Sequence, residues 1–133
     1  MYFQPATDSP VFEELRDLIL KTAGLADVIR GALQPLAKRI EWAFLYGSIA
    51  RGEEQATSDV DLMIIGAVGL AEISSPLRKV ERKLHRDVNP TIYTAEEFWN
   101  KVKANQHFLA SVLRSKKLFL LGDPREFDKA AGK

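Results

Sequence analysis

The chain contains no cysteine. That excludes disulfides, thiolate metal centres and cysteine nucleophiles, and it fits a reducing, cytoplasmic setting. It contains only two histidines, His85 and His107, far apart in sequence. An imidazole-rich metal centre is therefore not indicated, and each reads as a surface or helix residue. No apolar run approaches the roughly 20 residues that a membrane helix needs. The N-terminal Met1-Tyr2-Phe3-Gln4-Pro5 lacks the charged and apolar regions of a signal peptide. Charge of one sign is also lacking: nineteen basic against eighteen acidic residues leave +1. Such a balance gives no global attraction to nucleic acid or an anionic membrane. Internal repeats and low-complexity tracts are absent too.

What is present suits a globular domain. The 133 residues are 46% hydrophobic and 28% charged, enough for one core. Residues 1–10 read as an irregular lead-in, 11–122 as a single domain and the stretch from Asp123 as a polar tail. Apolar spacing predicts helices over 11–22, 25–39 and 70–86, with Pro35 bending or splitting the second. Short apolar runs at 42–46 and 60–66 predict buried strands. Residues 87–93 alternate and predict a strand, but Pro90 restricts it to an edge or a local break. Thr94 with Glu97 forms a capping-box pattern opening a helix. A further helix over 105–114 and a strand over 118–122 complete an α/β (α+β) arrangement, with about four strands flanked by helices. Arg78, Lys79, Arg82, Lys83 and Arg86 lie on the outer face of the 70–86 helix and read as a solvated face.

Chemistry concentrates between the first two strands. Gly47-Ser48 ends the first. Glycine lets backbone approach a ligand closely, free N–H groups at a strand-to-helix turn suit phosphate, and Ser48 adds a hydroxyl. Asp59 and Asp61 open the second strand, and residues i and i+2 of a strand share a face. Two converging carboxylates repel each other and favour a hard divalent cation such as magnesium. Each element alone is commonplace. Their order (strand, Gly-Ser, polar loop, Asp-x-Asp, strand) predicts a joint nucleotide and metal site.

Gly47-Ser48-x-Ala50-Arg51-Gly52 followed by Ser58-Asp59-Val60-Asp61-Leu62 resembles the signature of the polymerase-β-type nucleotidyltransferase superfamily. It is most similar to the minimal nucleotidyltransferases, and the core resemblance covers about residues 40–93. The resemblance implies a small mixed sheet flanked by helices, ATP or another NTP as donor, and two Mg2+ ions. It assigns Asp59 and Asp61 as catalytic metal ligands, and Gly47, Ser48 and Arg51 to the nucleotide. It also implies a third catalytic, metal-binding carboxylate on a later strand, for which Asp87 is the candidate. The expected activity is transfer of a nucleoside monophosphate to a hydroxyl of a protein or a small molecule. Minimal members of this kind resemble antitoxins that modify a helical HEPN-type partner. The alternative is a non-catalytic nucleotide-binding module. Tyr2-Phe3-Gln4-x-Ala6 and Ser9-Pro10-Val11-Phe12 resemble a junction to a winged-helix DNA-binding domain, which would then carry the nucleic-acid contact. Donor base, acceptor and oligomeric state stay open.

Overall fold

The computed structural model describes residues 24–47 and 59–132. The predicted 11–22 helix, and Ser48, Arg51 and the loop to Ser58, lie outside the described residues.

Residues 24–33 are helical (α1). Leu25, Ile29 and Leu33 recur every four residues and are buried, the period of one helix face. Pro35 then removes a backbone donor, and the chain tightens into a 3-10 helix at Gln34–Arg39. The strands follow as β1 (Ile40–Tyr46), β2 (Val60–Gly66), β3 (Val88–Tyr93) and β4 (Leu118–Leu121). They form one sheet in the order β3-β2-β1-β4. β1 pairs antiparallel with both β2 and β4, while β2 and β3 run parallel. The parallel pair needs a long connection, and α2 (Leu70–Leu84) supplies it. Pro90 sits in β3, an edge strand, where a missing N–H can face away from the ladder.

Each face of the sheet carries its own core. On one side Ala43, Leu45, Val60, Leu62, Ile64 and Val88 pack with α1 and with Ile73, Leu77 and Val80 of α2. Arg39 ties this layer together: its guanidinium pairs with Glu72 and donates to the Ala67 carbonyl at 2.7 Å. The other side is aromatic. Phe44, Met63 and Ile65 meet Phe98 of α3 (Ala95–Lys103) and Leu109 and Val112 of α4 (His107–Arg114). The Thr94 capping box is formed, with Thr94 Oγ1 accepting from the Glu97 N–H at 3.1 Å and Glu97 Oε1 accepting from the Thr94 N–H at 2.9 Å.

The polar stretch from Asp123 folds as α5 (Pro124–Ala130), capped by Asp123 Oδ1 on the Arg125 N–H at 2.8 Å. Its one large apolar residue, Phe127, is 1% exposed. The ring lies 5.4–5.9 Å, centroid to centroid, from Phe44, Trp42, Phe98, Trp99 and Phe119. Composition marks this stretch as polar because a seven-residue helix needs only one anchor when that anchor is completely buried. No helix among the described residues is long and apolar enough to cross a membrane. Phe127→Ala is expected to cost about 3–5 kcal/mol, as for a large ring removed from a packed core, measured by urea unfolding. A loss below about 1 kcal/mol would mean that α5 is peripheral.

Candidate functional site

The topology brings three strand ends to one edge of the sheet: the end of β1, the start of β2 and the start of β3. Tyr46 pairs with Asp61 across the antiparallel ladder. Asp61 pairs with Asn89 across the parallel one. Asp59 lies one residue ahead of β2.

Gly47 closes β1 with φ +77°, a conformation that side chains rarely adopt. A Cβ at this position would lie 2.6 Å from Asp61 Oδ2. Glycine is required twice here, by backbone conformation and by the carboxylate seated against it. The sequence pattern pairs Gly47 with the Asp-x-Asp element, and the structure puts the two in contact.

Asp59 and Asp61 converge on the Asn89 side chain. Asn89 Nδ2 donates to Asp59 Oδ2 at 3.2 Å. The amide also hydrogen-bonds Asp61. Burial holds the Asp61 carboxyl above the usual carboxylate range. The Asn89 hydrogen bond pulls it down, and the Asp59 charge pushes it up again. Burial likewise raises the neighbouring Tyr46 phenol, against a hydrogen bond with Thr91. Asn89 is the site residue that the sequence reading did not single out. The available signal was the alternation of 87–93, which puts Asn89 on the polar face of β3.

Asp87 is placed differently. Its carbonyl accepts the Val60 N–H at 2.9 Å, so its backbone stands two residues ahead of the Asn89 level. It lines an open concavity of about 410 Å³ with Arg78, Glu81, Arg82, His85 and Arg86. Among the described residues no three acidic or histidine side chains are grouped so as to hold a metal ion. The parallel register puts Asn89 opposite Asp61 and, two residues earlier, Asp87 level with Asp59.

The family described as Polymerase beta, Nucleotidyltransferase matches residues 31–125. The chain belongs to this family. The three converging strand ends thus sit in a nucleotidyltransferase domain, and the four-stranded sheet with its flanking helices is the polymerase-β-like fold expected from the Gly-Ser and Asp-x-Asp elements. Solved structures share it. A toxin–antitoxin with AMP-PNP is 16% identical, over 80% of this chain and 81% of that one, with a TM-score of 0.55. A mutant of the toxin–antitoxin MntA–HpeT is 15% identical over 80% and 81%, with a TM-score of 0.59. A complex of an MNT antitoxin with a tri-AMPylated Shewanella oneidensis HEPN toxin is 14% identical over 83% and 80%, with a TM-score of 0.51. At such identities the likeness concerns the fold. No curated protein matches the chain in sequence.

Two outcomes follow from this geometry. Gly47→Ala is expected to cost about 1–3 kcal/mol through left-handed strain and to add a clash with Asp61. In a double-mutant cycle with Asp61→Ala, the clash part should disappear and the strain part remain. Strict additivity would mean that Gly47 and Asp61 do not touch. The second outcome concerns pH. A carboxyl whose folded-state pKa is raised favours the fold below its unfolded pKa, and that contribution is lost as pH rises through the folded pKa. In metal-free protein Asp61→Asn should therefore raise Tm at pH 7, with the gain shrinking as pH falls through the raised folded pKa and gone below the unfolded value of about 4. A Tm difference independent of pH would contradict the burial effect.

Proposed function

We propose that this chain transfers AMP from ATP to a hydroxyl of a HEPN-type protein partner, with magnesium held by Asp59 and Asp61. The observation that carries the reading is the convergence of these two carboxylates beside Gly47, at the edge where three strand ends meet. The AMP-PNP in one structural neighbour and the tri-AMPylated HEPN toxin in another favour this donor and this acceptor.

The residues present fit a divalent cation. Two hard oxygen donors converge, and the space over Gly47 that a Cβ would fill is left to Asp61 Oδ2. A bound magnesium supplies charge neutralisation on the phosphate oxygens. The chain's own residues supply placement. Gly47 and Ser48 offer backbone N–H groups and a hydroxyl to the triphosphate, and Arg51 adds a cation. Asp59 and Asp61 set where the α-phosphate stands relative to the acceptor hydroxyl. The new bond joins the acceptor oxygen to the α-phosphorus as the bond to the α,β-bridging oxygen breaks; pyrophosphate leaves, and the hydroxyl proton is released to solvent.

The test is label transfer from α-32P-ATP, GTP, CTP and UTP to a purified HEPN-type protein in the presence of Mg2+. Label on the partner from ATP is expected. Asp61→Asn should reduce it by at least about 100-fold, since even residues that only orient metal ligands are worth 10–100-fold, while the far-UV spectrum stays unchanged. Full activity in Asp61→Asn would overturn the mechanism. Nucleotide binding without transfer to any HEPN-type or small-molecule hydroxyl acceptor would support the rival reading, a nucleotide-binding module that signals to a linked DNA-binding domain.

A further inference from the structure

The position facing Asp61 on β3 carries an amide where a carboxylate would be isosteric. An Asn side-chain NH2 has two donor hydrogens. One is directed to Asp59 Oδ2 at 3.2 Å, and Asn89 stands directly opposite Asp61 in the parallel ladder, where its amide pulls the Asp61 carboxyl down against burial. A single neutral group thus stands beside both carboxylates. Asn89 is itself exposed, so no core contact accounts for it. The three side chains together carry a charge of −2. One divalent cation neutralises that charge, and a second would find no further carboxylate among the described residues grouped with these two.

We propose that Asn89 is a positioning residue that fixes the spacing of Asp59 and Asp61, and that by being an amide it makes this a site for one divalent cation rather than two. The proposal rests on the reading of Asp59 and Asp61 as metal ligands given above. Hydrogen bonds from an outer group orient ligating carboxylates and typically contribute 10–100-fold to metal affinity. Asn89 is placed to do this for both ligands at once. An aspartate at 89 would instead be a third oxygen ligand. It would raise the charge of the cluster to −3 and create the capacity for a second ion.

Mn2+ titration followed by EPR on the full chain, without nucleotide, tests this. Wild type is expected to bind one Mn2+. Asp59→Ala/Asp61→Ala should bind none. Asn89→Ala should still bind one, with affinity reduced about 10–100-fold. Asn89→Asp should bind two. Thermal melts establish that each variant is folded, and Asn89→Ser serves if Asn89→Ala is not. Unchanged affinity in Asn89→Ala, with binding lost in the double aspartate variant, overturns the role of Asn89 alone. Two ions in wild type, or one in Asn89→Asp, overturns the one-cation assignment. No Mn2+ binding by wild type, or binding retained after both aspartates are removed, overturns the metal site itself and this proposal with it.

Discussion

The register between β1 and β2 is the constraint on which the site depends. Trp42 to Tyr46 pair with Ile65 to Asp61 without interruption. That places Gly47 directly over the Asp61 carboxylate. Strand side chains alternate faces, so a slip of one residue would carry Asp61 into the aliphatic core and Leu62 to the face that Asp61 now occupies. The register is secured because both strands are central and covered on both faces. β2 is buried along nearly its whole length, and the only half-buried position is Asp61 itself. A site residue stands where the hydrophobic pattern of a central strand is broken once.

The two cores hold that register from opposite sides by different means. The aliphatic layer under α1 and α2 is built from residues at helical period and is closed at one end by the Arg39–Glu72 pair. That pair is substantially exposed, and exposed ion pairs contribute little, so burial carries the stability on this face. The aromatic layer under α3, α4 and α5 is a network of edge-on and tilted rings centred on Phe44 and Phe127. Such pairs add about 0.5–1.5 kcal/mol each beyond area burial. Trp42 also ties β1 to α5 within this layer, since its indole N–H donates to the Asp123 carbonyl at 3.3 Å. Helix α5 is thereby fastened to the strand that ends at Gly47.

Much of this was legible in the sequence. The strands around 42–46, 60–66, 87–93 and 118–122, the Pro35 break and the Thr94 cap all follow from local pattern and appear close to where that pattern puts them. Pro90 restricted the 87–93 strand to an edge or a local break, and β3 is an edge strand. The capped helix after Asp123 was not legible, because a single phenylalanine in a polar stretch has no period to detect.

The sequence by itself determined the chemistry on offer: a glycine turn, two carboxylates one residue apart, and the strands that carry them. These are short-range features, readable because strand periodicity and turn chemistry act over a few residues. Only the tertiary structure decided which β3 residue faces Asp61. Asp87 and Asn89 lie on the same polar face of an alternating segment, so no local rule separates them. The parallel ladder between β2 and β3, with Val60 opposite Val88, puts the amide rather than the carboxylate opposite Asp61. Pairing register between positions 28 residues apart is set by the packing of α2 between them, which joins Val60 and Val88 in one core.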